Sequence, residues 1–138
     1  YFNSAVILTG LGVAFFAVAL HKSRRYPVPP AAFLLLAIAG FMLSGVGVFT
    51  EYQQPMHLVV SGGFFFFTAL AVLQTGWHWV QNKIVLGWIG LAGGVLLLGF
   101  VAIAALSPQP LLQKLAVGAV VTGYFTLALG IVHDHFKK

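Results

Sequence analysis

The sequence predicts an all-α fold, a bundle of transmembrane helices that forms one domain over residues 1–138. Of its residues, 60% are hydrophobic and 7% are charged, and the mean hydropathy is +1.00. A soluble domain carries about a quarter charged residues, so this chain lacks the polar surface that water requires, and lipid is its expected solvent. The apolar runs show no alternation with a period of two, which excludes a transmembrane β-barrel.

Polar residues divide the chain into apolar runs that are each close to the ~20 residues needed to cross ~30 Å of hydrocarbon as an α-helix. Because lipid offers backbone groups no hydrogen-bond partner, such runs fold as helices. The five predicted transmembrane helices cover about residues 4–20, 31–50, 57–80, 84–106 and 111–132.

The charges in the loops predict how the bundle is oriented. Six basic residues lie on one side of the membrane, whereas Glu51 and Lys114 lie on the other. By the positive-inside bias the side with six basic residues is cytoplasmic, which places Tyr1 outside and Lys138 in the cytoplasm. The expected location is the plasma membrane of a prokaryotic cell. These charges lie at the ends of apolar runs rather than along one face, so nucleic acid is not an expected partner. The six residues are Lys22, Arg24, Arg25, Lys83, Lys137 and Lys138.

The third run carries a stripe whose members follow one another at alternating steps of four and three, so that on an α-helix they share one face. The rest of this helix is mostly Leu, Val, Phe and Gly, and we predict that the helix is the axis of the bundle. The stripe consists of His57, Ser61, Phe64, Thr68, Ala71, Thr75 and His78.

Small residues predict where helices contact one another. Gly40 and Ser44, like Gly90 and Gly94, are separated by three residues, a spacing that lets two helix backbones approach closely. Trp77, Trp79 and Trp88 lie near the predicted cytoplasmic boundary, at the depth where indole rings meet the lipid headgroups.

One candidate site lies on the predicted outer face, where the turn between the second and third runs contains Glu51 and leads into His57. His57 is either a proton-accepting or ligand-binding group at a water-accessible mouth, or an interfacial residue that caps the helix or bonds a loop carbonyl. Ser61 lies one turn further along the stripe. Glu51 and Lys114 both lie at outer helix ends, so an ion pair between them is expected.

A second candidate site lies on the predicted cytoplasmic face, to which three helix ends bring four histidines and one carboxylate. Neutral imidazoles with a carboxylate suit Zn²⁺ or non-haem iron. Histidines near Trp and Lys are also common headgroup anchors, and His133 and His135 point to different sides of a continuous helix. The metal candidates are His21, His78, His133 and His135, together with Asp134.

The sequence predicts no cofactor, although a lipid or a quinone remains a possible ligand of the outer site. All five histidines lie at the ends of runs, whereas a haem within the bundle needs histidines at mid-membrane depth. The chain has no Cys, which excludes disulfides and thiolate sites. No ionisable residue lies at mid-membrane depth, which disfavours a carrier or a pump.

Five short motifs lie along the chain: Phe2-Asn3, Gly10-Leu-Gly, Gly45-Val-Gly-Val-Phe-Thr-Glu, Pro55-Met-His-Leu and Leu112-Gln-Lys-Leu-Ala-Val-Gly. Together they resemble the DUF998 family, small multi-pass membrane proteins of unknown function that are well represented in archaea. The resemblance covers nearly the whole chain and implies six helices, with one additional helix before the first run. It implies no activity, but its matched polar positions are again Glu51, His57 and Lys114.

Together these observations favour a non-catalytic integral membrane subunit that contacts membrane lipid and other integral membrane subunits. The small loops, the few charges and the abundant small residues are typical of such a protein. The alternative is a small membrane enzyme, or a lipid- or quinone-binding protein, that uses His57 with Glu51, Lys114 and Ser61 at the outer face.

Overall fold

A computed structural model of the chain describes residues 2–23 and 28–106, together with residues 118, 120 and 123. Every regular element in this part of the chain is an α-helix: α1 (Phe2–Ser23), α2 (Pro30–Val48), α3 (Met56–Gln81) and α4 (Leu86–Leu106). All four are long and apolar enough to cross a membrane. They correspond to the first four predicted helices. The fifth predicted helix lies outside the described residues, except that residues 118, 120 and 123 are helical.

Prolines and one backbone motif set the helix boundaries. Pro29 precedes α2, and Pro30 occupies its first turn, where a missing N–H group costs nothing. After α3, the N–H of Lys83 bonds the carbonyl of Val80 and the N–H of Ile84 bonds the carbonyl of Trp79, at 3.0 and 2.8 Å. This pair of bonds is a Schellman motif. Its last residue, Ile84, was assigned by the sequence to the fourth helix, and α4 begins at Leu86 rather than near Ile84.

The four helices pack in chain order, and each is antiparallel to the next. Contacts join α1 to α2, α2 to α3, and α3 to α4, so α2 and α3 are central. The bundle therefore has two ends. The basic end carries Lys22 and Lys83, and the Glu51 end carries the turn between α2 and α3.

Glycine lets α1 and α2 meet backbone to backbone. A Cβ atom at Gly10 would lie 2.5 Å from the Gly40 carbonyl oxygen and 2.5 Å from the Ser44 amide nitrogen, so no larger residue fits there. The Ser44 hydroxyl lies 3.1 Å from the carbonyl oxygen of Ile7 across the interface and 3.2 Å from that of Gly40 in its own helix. The prediction that Gly40 and Ser44 are packing positions is confirmed.

Glycines also allow close approach at the interface between α3 and α4. A Cβ atom at Gly90 would lie 3.1 Å from the Cα atom of Gly76, and one at Gly94 would lie 2.5 Å from the Leu73 side chain. The second small-residue pair is thus confirmed as well.

The predicted stripe is the inward face of α3 along its middle, where Phe64, Thr68, Ala71 and Thr75 are all buried. Phe64 contributes to a core cluster with residues from α2 and α4. At the two ends of the stripe His57 and His78 are only half-buried, because the helix ends extend beyond the packed core. The core cluster comprises Ala39, Phe64, Ala69, Leu97 and Val120.

A second cluster closes the basic end. Trp79 is 1% exposed and packs with residues from α1, α2 and the loop before α2. Trp77 and Trp88 are 58% and 65% exposed, as expected of headgroup anchors. Trp79 differs from the prediction, because its position on α3 points its ring into the bundle. The other buried members are Leu20, Val28, Ala32 and Phe33.

Candidate functional site

The turn between α2 and α3 forms the first candidate site. Hydrogen bonds within the turn hold it: the N–H of Gln53 bonds the carbonyl of Thr50 at 2.8 Å, and the N–H of Thr50 bonds the Gln53 side chain at 3.1 Å. The peptide bond between Gln54 and Pro55 is cis. Residues 51–56 are all exposed, so this turn presents its side chains outside the helix bundle.

His57 is tied across the turn to the end of α2. Its Nδ1 atom lies 2.6 Å from the carbonyl oxygen of Phe49, and the ring is half-buried. A carbonyl oxygen only accepts, so Nδ1 carries the proton and donates it. In the neutral ring Nε2 then holds a lone pair and is an acceptor. The bond to a loop carbonyl is the one expected of an interfacial histidine, and the same bond fixes the ring orientation that a ligand-binding group needs.

The other predicted members of this site do not complete a cluster among the described residues. Glu51 is exposed at the tip of the turn. The Ser61 hydroxyl donates to the carbonyl of Leu58 in its own helix at 3.2 Å. Lys114 lies outside the described residues, and with it the expected ion pair to Glu51. The structure therefore orients His57 and leaves Glu51 facing the surroundings.

The histidines of the basic end have separate neighbours. The His21 ring lies 6.4 Å from the Phe33 ring, centre to centre. The Asn82 side-chain amide donates to the His78 carbonyl at 2.7 Å and lies 3.3 Å from His78 Nε2. His133, Asp134 and His135 lie outside the described residues. Within residues 2–23 and 28–106 no three His, Cys, Asp or Glu side chains converge as metal ligands.

One cavity between the helices is too small for a substrate. This cavity of about 10 Å³ lies between α2, α3 and α4, which is the volume that one water molecule needs. Its walls are mostly apolar. A ligand larger than water therefore does not fit this cavity. The walls include Leu36, Ala71, Val72, Thr75, Trp79 and Gly90.

The comparison with family models gives one match, which covers residues 1–133 and is described as a protein of unknown function (DUF998). The chain belongs to the DUF998 family. The resemblance seen in its short motifs is confirmed by this match. No curated protein and no solved structure matches the chain.

One polar group of this DUF998 chain was missed by the sequence analysis. Gln74 lies on α3 beside Thr75, and its Oε1 atom is buried without a hydrogen-bond donor in the described part of the chain. A buried amide oxygen without a donor costs about 1–3 kcal/mol. The signal was present in the sequence, since Gln74 is an amide seven residues inside the end of an apolar span.

Proposed function

We propose that this chain is a non-catalytic integral membrane subunit that packs against other integral membrane proteins within a larger complex. The observation that carries the proposal is the outward face of α1, opposite Gly10. The exposed residues of this face are spaced alternately three and four positions apart, and every seventh residue is small. The face consists of Ala5, Leu8, Gly12, Phe15 and Ala19.

This pattern suits a partner helix better than lipid. Helix pairs with a left-handed crossing repeat their contacts every seven residues, and helix contacts in membranes are enriched in small residues. Gly in a helix interior costs roughly 0.5–1 kcal/mol relative to Ala. A Cβ atom at Gly12 would meet no described atom within 4 Å, so no contact in this part of the chain requires glycine there.

The proposal includes a fifth span over about residues 111–132. The three described residues in that range, Gly118, Val120 and Gly123, are helical. Val120 is 5% exposed and belongs to the core cluster of Phe64 and Leu97. A Cβ atom at Gly123 would lie 3.1 Å from the Val72 side chain. These contacts support a helix that packs against the middle of the bundle.

The proposed orientation places the basic end in the cytoplasm and Tyr1 outside, in the plasma membrane of a prokaryotic cell. It is supported by the separation of charge along the bundle. Lys22 and Lys83 lie at one end and Glu51 at the other, and basic residues are retained on the cytoplasmic side.

Native mass spectrometry of the gently extracted protein, combined with one substitution, tests the subunit proposal. We expect other polypeptides to be bound at a fixed ratio and Gly12→Leu to release them, because the new side chain fills the contact face. Val18→Leu is the matched control, an exposed α1 position away from that face. A wild-type chain found only alone or with copies of itself contradicts the proposal, as does equal loss of partners in both variants.

The orientation of His57 favours a second candidate, a lipid- or quinone-binding protein or small enzyme with its site at His57, Glu51, Ser61 and Lys114. The bond to Phe49 holds the His57 ring so that Nε2 presents an acceptor to a ligand hydroxyl. Under this alternative a stoichiometric small molecule accompanies the protein and is lost in His57→Ala but not in His78→Ala. Retention of the molecule in His57→Ala excludes this site.

A further inference from the structure

A groove at the basic end lies between the last turn of α1 and the first two turns of α2. Its volume is about 240 Å³. Val18 and Leu34 on its walls are 42% and 63% exposed, so the groove is open toward the bilayer. The walls include Val18 and His21 of α1 and Ala31, Phe33, Leu34 and Ala37 of α2.

The groove changes from polar to apolar with depth. Its shallow end lies where α1 ends and α2 begins, and there His21 and Lys22 are exposed. Its deep end at Ala37 lies seven residues into α2, about 10 Å at ~1.5 Å per residue. The His21 ring lies beside Phe33 on the wall. An occupant must therefore have a polar head near Lys22 and an apolar tail along Leu34 and Ala37.

The charges around the groove favour an anionic head. The first turn of α2 contains no acidic residue. Glu51, the acidic residue of the described part of the chain, lies at the opposite end of the bundle. Lys22 and Lys83 both lie at the basic end, so the local field attracts a phosphate group and repels cations.

The geometry points to a binding site for one anionic glycerophospholipid, with its phosphate group at His21 and Lys22 and an acyl chain in the groove. Lipid surrounds this surface at high concentration, and the open walls admit an acyl chain from the side. The site lies on the α2-facing side of α1 and at the end opposite His57, so it is independent of the proposed partner face and of the outer candidate site.

Native mass spectrometry of the delipidated full chain, titrated with phosphatidylglycerol or phosphatidylcholine of the same acyl chains, tests this site. We expect one phosphatidylglycerol to bind per chain, several-fold more tightly than phosphatidylcholine. Lys22→Gln weakens phosphatidylglycerol binding about fivefold, as expected for one basic residue near an anionic headgroup. Lys83→Gln is the matched control, a cation at the same end outside the groove. Arg24 and Arg25 stay unchanged in each variant.

A second variant tests the apolar part of the site. Ala31 is exposed on the groove wall, so Ala31→Leu fills the groove without disturbing the buried core and is expected to weaken phosphatidylglycerol binding several-fold. Glycerol phosphate, which has no acyl chain, is expected not to compete. Equal binding of the two lipids, equal effects of Lys22→Gln and Lys83→Gln, unchanged binding in Ala31→Leu, or competition by glycerol phosphate each overturns the inference.

Discussion

The two ends of the bundle are closed by different forces. At the basic end Trp79 is 1% exposed within an apolar cluster that reaches three helices and a loop. At the Glu51 end Tyr52 is 99% exposed, and the turn is held by hydrogen bonds, including the one from His57 to Phe49. Both ends expose polar side chains, such as Lys22 and Glu51. They differ in what lies beneath these side chains, which is a buried apolar cluster at the basic end and a hydrogen-bonded turn at the Glu51 end.

The largest expected effect comes from truncating Trp79 in the apolar cluster of the basic end. Trp79→Ala removes the largest buried side chain among the described residues and is expected to lower the free energy of unfolding by about 3–5 kcal/mol. Trp77→Ala, two residues away and exposed, is expected to change it by less than about 1 kcal/mol. Unfolding titrations in mixed micelles measure both. Similar losses in the two variants would show that the basic end does not depend on its buried cluster.

Between the ends, the contact of α1 with α2 is expected to give the next largest effect. Gly10→Ala places a methyl group 2.5 Å from backbone atoms of α2 and is expected to cost about 1–3 kcal/mol. In Gly12→Ala the new methyl group meets no described atom, so the free energy of unfolding is expected to stay unchanged or to rise by up to about 1 kcal/mol through helix propensity. The same titrations give both values, and a destabilising Gly12→Ala contradicts the assignment of the two faces.

Substitution of Gln74 is expected to raise the free energy of unfolding, unlike the substitutions of Trp79 and Gly10. Gln74→Met keeps the length of the side chain and removes a buried oxygen that has no donor among the described residues, so a gain of about 1 kcal/mol is expected for the isolated chain. Loss of stability in this variant instead shows that the oxygen has a partner in the folded protein. Gln81→Met, at the exposed end of the same helix, is the control and is expected to change little.

At the Glu51 end the effect of removing one hydrogen bond is smaller. His57→Ala deletes the bond to the Phe49 carbonyl and is expected to cost about 0.5–1.5 kcal/mol. Amide hydrogen exchange is expected to rise in residues 49–57 and to stay unchanged around Trp79. Faster exchange at both ends contradicts the independence of the two ends.

The smallest expected effect is a rise in the free energy of unfolding when Lys83, at the basic end, is replaced by glycine. Lys83 has a φ of 59°, in the left-handed region, which costs most residues about 1–2 kcal/mol. Lys83→Gly relieves this cost but adds backbone entropy to the unfolded chain, for a net gain of about 0.5–1 kcal/mol. Lys83→Ala removes the same charge without relieving the strain, so it is not expected to stabilise the protein.

The amino-acid sequence by itself determined that this is a membrane protein built from helices. Long apolar runs with few charges leave the backbone only one way to satisfy its hydrogen bonds in lipid, and this holds whatever the neighbours of each run are. The face of α3 that carries Phe64, Thr68, Ala71 and Thr75 was visible for the same reason, because a helical period is a local property.

The tertiary structure decided which member of each local pattern is buried. Gly10 and Gly12 stand two residues apart in one motif, yet Gly10 contacts α2 and Gly12 faces outward. Trp79 is buried and Trp77 is exposed. Two residues along a helix differ by about 200° in direction, so burial depends on where the neighbouring helix lies. That position is set by contacts between residues far apart in the chain, such as Gly10 with Gly40, which no local pattern specifies.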